Sequence, residues 1–243
     1  APTTFPLTGM WLIGVRHPPF TTPKYLSSFF HRLICIGGAL TLSFCQLTGQ
    51  EGTVIVIQTK GVVEAFSPRG IKLKEPVTRG SVLPVGYAIQ TGLFSESVLL
   101  FSNGTSATLQ EKSKLKLTKF SQAKFDAQGT SFGQLNNEPS TSQVSLEMDI
   151  GSLVVQTKKL NKSSSFSITS PAGTAGIWGT QFQMATNPNS GMKLDVAESQ
   201  VAFTPAGQNQ PVIVGPGKGL DASPSGMVKQ RSINPAVAQN ISS

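Results

Sequence analysis

The chain has 243 residues, of which 24 are glycine, 16 are proline and only 13% are charged; a composition so rich in turn formers points to short strands joined by many turns, in one or two domains. Its formal charge is +8, but residues 51–243 hold 17 basic and 12 acidic side chains, the mild excess of a solvated surface and weak support for an acidic partner. Both cysteines (Cys35, Cys45) and both histidines (His17, His31) precede residue 50, so residues 51–243 lack a disulfide, the histidine base of serine or cysteine catalysis, and the ligands of ordinary zinc sites.

Residues 1–50 read as a leader. Lys24 and Arg32 flank a stretch of apolar and small residues from Leu33 to Cys45. Thirteen such residues are short for a membrane span, which needs about 20, and suit the core of a secretory signal peptide. Ser43 and Cys45 carry the small side chains expected before a cleavage ahead of Gln46. An uncleaved anchor is the alternative, and lipidation at Cys45 is disfavoured by the bulk of Phe44. Residues 1–23 are proline-rich and begin at Ala1 rather than methionine, as in a fragment or after a misplaced start.

Strand signals follow in order. Val54–Ile57 is a β-branched run, suited to a buried strand. Val98–Phe101 leads into Asn103-Gly104, a pair that accepts the positive φ of tight turns, and Ala107–Leu109 continues beyond it. Lys112, Lys114 and Lys116 alternate with Ser113, Leu115 and Leu117, giving a strand with a lysine face, which guards a sheet edge or contacts an anionic partner. Residues 125–142 read as a long polar loop. Val144–Ile150 alternates strictly and is half buried; Gly151 ends it and Leu153–Val155 begins another strand. Further strands are predicted at Phe166–Ile168, Gln181–Met184, Lys193–Val196, Val201–Phe203 and Val212–Val214. After Ala222 the pattern fades into a flexible tail at 222–243. No long amphipathic helix and no fixed repeat is evident.

Little else carries chemistry. Glu147 and Asp149 share a strand face at a spacing a glycosidase pair could use, yet alternation already accounts for them as solvated positions. Gly215-Pro216-Gly217-Lys218-Gly219 lacks the Lys-Ser/Thr ending of a phosphate loop and reads as a turn. Exposed aromatic platforms for sugars are scarce, with one tryptophan (Trp178) and one tyrosine (Tyr87) after residue 50, and the few arginines there (Arg69, Arg79, Arg231) argue against nucleic acid.

Three stretches together resemble the FecR domain: Gly86-Tyr87-Ala88-Ile89-Gln90-Thr91-Gly92 with Phe101-Ser102-Asn103-Gly104-Thr105; Gly151-Ser152-Leu153-Val154-Val155 with the run from Phe166 through Ser170-Pro171-Ala172-Gly173 to Ile177-Trp178-Gly179-Thr180; and Asp195 to Val201. The resemblance spans roughly residues 54–220. It implies an all-β fold, solenoid-like or a jelly-roll stack of short strands, behind a disordered or helical leader, with a non-enzymatic role in the cell envelope. Trp178 stands where the family usually has arginine, which puts any role of that charge in doubt. Residues 1–23 are too short for the cytoplasmic anti-sigma segment of regulatory members, and the tail too short for their further signalling module, so the resemblance stops short of a complete transmembrane regulator.

The expected organisation is a leader at 1–50 with its apolar core at 33–45, a FecR-like β domain at 51–221 and a flexible tail at 222–243. The expected function is an exported binding or sensing module, not an enzyme, without cofactor or metal. It contacts an envelope protein or an anionic polymer, does not bind nucleic acid, and meets the membrane only through an uncleaved or lipidated leader. A passive β-solenoid scaffold and a carboxylate-dependent carbohydrate enzyme are the alternatives. Lys112, Lys114 and Lys116 are the candidate contact face. Gly173, Gly176, Trp178 and Gly179 form a structural corner, with Trp178 buried or half-buried beside it.

Overall fold

A computed structural model describes residues 50–126 and 135–242. The expected leader, its apolar core and its cleavage position lie outside the described residues. The described residues form sixteen strands and one helix, as an all-β protein.

The organising element is strand β8, Ser142–Gln156. Its first part pairs antiparallel with β7 (Lys114–Gln122) and parallel with β9 (Ser165–Ser170). Its last part, from Gly151 on, pairs antiparallel with β11 (Gln181–Asn187) and, within Leu153–Gln156, with β6 (Ser106–Leu109). The two strands expected on either side of Gly151 are therefore one. Gly151 has a φ of 111°, a conformation closed to most side chains, and it bends the strand instead of ending it. A side chain there would meet the Ser113 backbone, its Cβ 2.3 Å from the Ser113 Cα. Ser113 Oγ accepts a 2.8 Å hydrogen bond from Ser152 N–H at the bend.

Two sheets hang from this strand. The first runs β14 (Val212–Val214), β13 (Val201–Pro205), β10 (Gly173–Ile177), β9, β8, β7, β4 (Ala88–Thr91), β3 (Val63–Phe66), with β1 (Gln50–Glu51) at the far end of β7. The second runs β2 (Val54–Lys60), β5 (Glu96–Phe101), β6, β8, β11, β12 (Gly191–Glu198), β15 (Lys218–Ala222), β16 (Val228–Ser232). Pairing is antiparallel between all named strands except β8 and β9. The result is a two-layer, nearly closed sheet, closer to the jelly-roll form of the expectation than to parallel stacked coils.

Alternation fills the space between the layers. Val144, Leu146 and Met148 of β8 are buried, and Phe101 of the second sheet packs 5.7 Å from Phe120 and 6.0 Å from Phe166 of the first, centroid to centroid. Each such ring contributes about 1.5–3 kcal/mol by leaving water. The free side of β2 is covered by residues 78–83, with Val56 N–H donating to Ser81 O at 2.8 Å and Leu83 N–H to Val54 O at 2.9 Å, which blunts an edge open to aggregation.

The tail is a correction. Residues 228–232 pair with β15 as β16, and residues 235–242 form helix α1 (Pro235–Ser242) with Ile241 fully buried. Gln156 Nε2 also donates to Ile241 O at 3.0 Å. Polar strands such as Val-Lys-Gln-Arg-Ser show no alternation because only their backbone is needed, to complete an edge. Of the glycine-rich run 215–219, residues 215–217 lie in the turn, with Lys218 N–H donating to Gly215 O, while Lys218 and Gly219 already belong to β15.

Candidate functional site

The outer face of the first sheet collects the charges that the sequence offered separately. Register places Phe66, Ala88, Lys116 and Glu147 in one row across β3, β4, β7 and β8. The ladder between β7 and β8 shifts at Lys114, where Ile150 faces Lys114 and Met148 faces Leu115. Asp149 is left over as the extra residue, an irregularity of the kind that re-aims a side chain. Lys114, Lys116, Glu147 and Asp149 thus line one depression of about 150 Å³, walled by Phe66, Ser67, Pro68 and Gly70.

The charges in it are loosely used. Lys116 Nζ lies 3.6 Å from Glu147 Oε2, with both side chains 43% exposed, a pair worth well under 1 kcal/mol. Lys114 Nζ stands 5.5 Å from the centre of the Phe66 ring, within cation–π range. Asp149 is exposed. Mixed charge beside an apolar wall, on a rigid sheet, can take a polar or ionic group of a partner. The carboxylates lie on an open face, one of them engaged by a lysine, which does not resemble the enclosed acid and nucleophile of a glycosidase.

Two expectations about the lysines are corrected. Lys112 is not on the strand: it sits in the turn before β7 with a φ of 52°, its N–H donating to Gly92 O at 3.0 Å. Nor does β7 guard an edge, since β4 and β8 flank it. Alternating lysines look alike on an edge and in the middle of a sheet whose other face is the core.

The expected corner is two turns. Gly173 (φ 144°) opens β10 directly after the β9 hairpin, and its Cβ would meet Thr204 O at 2.3 Å. Gly179 (φ 110°) lies where the chain leaves β10 for β11 in the other sheet, and a Cβ there would come 2.8 Å from Lys159 Cα. Gly176 is mid-strand. Trp178 is 52% exposed: Ile177 faces the core, so its neighbour faces out.

Phe66 and the turn Ser67–Gly70 were missed as parts of a site. Ser-Pro-Arg-Gly is a turn signal, but nothing in the sequence says which strand the turn overhangs. A second missed feature is Glu138, buried, which accepts hydrogen bonds from Ser164 Oγ (2.6 Å), Asn161 N–H (2.9 Å) and Ser142 Oγ. It ties the loop before β8 to the turn before β9.

Residues 87–202 match the family described as FecR protein. This chain carries a FecR domain. The match begins beside β4 and ends within β13, so β2, β3 and the strands from β14 on extend the folded unit beyond it. The lysines and carboxylates of the depression lie inside the FecR match, while Phe66 and its turn lie before it. Two solved structures of a candidate anti-sigma factor from Parabacteroides distasonis are similar to this chain, each at 12% identity and a TM-score of 0.46, covering 64% of this chain and 62% of that one. The chain therefore matches less than two thirds of the length of those structures. No curated protein matches it. The FecR match over residues 87–202 supports a sensing or regulatory module. No helix among the described residues is long and apolar enough to cross a membrane.

Proposed function

We propose that this chain is an exported FecR-type binding and sensing module that contacts an envelope protein or polymer through the outer face of its first sheet, and catalyses nothing. The observation that carries the reading is the depression at Lys114, Lys116, Glu147 and Asp149. There the FecR domain offers loosely paired charges on a rigid surface, and a turn from outside the domain walls them in. Rigid strands hold such groups in place without the entropy cost of ordering a loop. Export rests on the apolar run at 33–45 and its basic flank.

The test is capture from envelope extract by the full chain. Changing both Lys114 and Lys116 to glutamine should weaken capture, raised salt should mimic the change, and Lys112→Gln should do neither. The same protein recovered from its native envelope should begin between about Gln46 and Val54 on N-terminal sequencing, the window left by a signal peptide of this form. Undiminished capture by the double variant removes this surface, and an intact residue 1–50 segment on cytosolic protein removes export.

A further inference from the structure

We propose that the strap of chain between β3 and β4 roofs a second site, which binds a small apolar molecule with a cationic end, an alkyl or aryl amine. The first sheet ends on β3 and the second on β2, and residues 71–83 are tied to both of these edges. At the β3 edge Lys72 bridges Phe66, and Leu73 N–H donates to Ala65 O at 2.8 Å. At the β2 edge Gly80 N–H donates to Val56 O at 2.8 Å, beside the bonds made there by Ser81 and Leu83. The strap thus crosses the gap that the nearly closed sheet leaves between its layers.

Beneath it is a cavity of about 250 Å³. Its floor is Val56, Ala65, Leu83 and Ile89, all buried in the core. Its roof is Leu73, Pro76 and Val77 of the strap, and exposed Glu75 and Val82 stand at its mouth. Close-packed interiors keep few voids larger than a water molecule. An apolar cavity of about 150 Å³ stays dry and takes a benzene ring, so by that scale this one holds about ten carbon atoms. A single leucine or phenylalanine side chain offered by a protein would leave it part empty.

The few polar groups select the end of the ligand. Ser81 is already engaged: its Oγ accepts from Thr78 N–H at 3.0 Å, and its carbonyl from Val56 N–H. Glu75 carries the one charge among the described lining residues, and no described residue pairs with it. The cations of the strap lie elsewhere: Lys72 is bound by Glu64, and Lys74 and Arg79 are exposed and outside the lining. An apolar body that fills the cavity leaves its polar end at the mouth. There an ammonium meets the Glu75 carboxylate, and a second carboxylate is repelled. Ala65 lines this cavity and its neighbour Phe66 the lysine depression, so the two sites lie on opposite faces of β3.

The experiment titrates the full chain by calorimetry with octylamine, octan-1-ol and octanoate, at concentrations that leave its circular dichroism β-dominated. Octylamine should bind, octanol about fivefold more weakly, the scale of one exposed ion pair, and octanoate more weakly still. Glu75→Gln should bring octylamine down to the octanol level and leave octanol unchanged. Ala65→Leu fills the floor and Val82→Trp plugs the exposed mouth, and each should weaken both ligands by about tenfold or more. Two filled variants are used so that the test stands if one of them fails to fold. The double change of Lys114 and Lys116 to glutamine should leave octylamine binding unaltered. No binding of octylamine overturns the proposal, as does binding that persists in a folded, filled variant. A preference for octanoate, or octylamine binding indifferent to Glu75→Gln, removes the cationic end and overturns it too. The lysine reading survives each of these failures, because its own test depends on Lys114 and Lys116.

Discussion

Each sheet presents a cluster of opposite charges to solvent, and the two clusters use their charges differently. On the second sheet Arg231 of β16 lies 2.6 Å from Asp195 of β12 and 2.9 Å from Asp221 of β15. Gly219 stands between Asp195 and Arg231 in register, and a Cβ on it would come within 2.5 Å of both. The missing side chain lets arginine reach over a whole strand. Asp195 is only 17% exposed, and its close approach to the guanidinium, followed by the hydrogen bond to Asp221, raises the Arg231 pKa despite partial burial. The planar guanidinium engages two carboxylates, one by an ion pair and one by a hydrogen bond, and links three strands. On the first sheet a lysine reaches one carboxylate at 3.6 Å, a second lysine stands over a phenylalanine, and Asp149 is exposed. Closely paired charges hold an edge together, whereas loose ones remain available to a partner.

The largest effect should come from breaking the strand that makes the two faces parts of one body. Gly151→Val adds left-handed strain and a clash with the Ser113 backbone, and should cost about 3–5 kcal/mol in urea unfolding, in a single transition for residues 50–242. Two separate transitions would mean that the sheets fold independently and that the clusters belong to separate bodies. Next, Arg231→Ala should cost about 2 kcal/mol by leaving two carboxylates without their partner. A raised folded-state pKa gives stability that is present below the ordinary arginine value and is lost only as pH rises through the raised one. Thermal melts should therefore show the same deficit at neutral and mildly alkaline pH. The smallest effect belongs to the first sheet: Lys116→Gln or Glu147→Gln should change stability by less than about 0.5 kcal/mol. A larger loss there would place this pair with the structural clamp.

The sequence carried those parts of the fold that follow from a strand's own period. Val144–Ile150 alternates because one face meets the core, and Asn103-Gly104 turns where its backbone must. Its silence begins where neighbours decide. Gly151 has the same signature whether it stops a strand or bends one, and only the Ser113 turn packed against it distinguishes the two. Gly173–Ile177, with two glycines in five residues, has little strand propensity and becomes β10 because β9 and β13 flank it. At the candidate site the residue types were legible, but their meeting was not. Lys116 and Glu147 are joined by the register of β7 with β8, and Phe66 reaches them through β4. Lys112 was drawn onto the strand by an alternation that continues one step past the point where φ turns positive.

The shared strand also makes errors travel. In a sandwich of two independent sheets, a strand that pairs one residue out of place spoils its own layer and leaves the other to proofread. Here β8 fixes the alignment of both layers, and the backbone at Gly151 connects their alignments rigidly. A one-residue slip against β7 would turn Val144, Leu146 and Met148 outward, and unless the bend relaxed it would do the same to Leu153 and Val155 against β11. The chain thus reads its alignment twice along one strand, and a misthreaded copy is penalised in both layers at once.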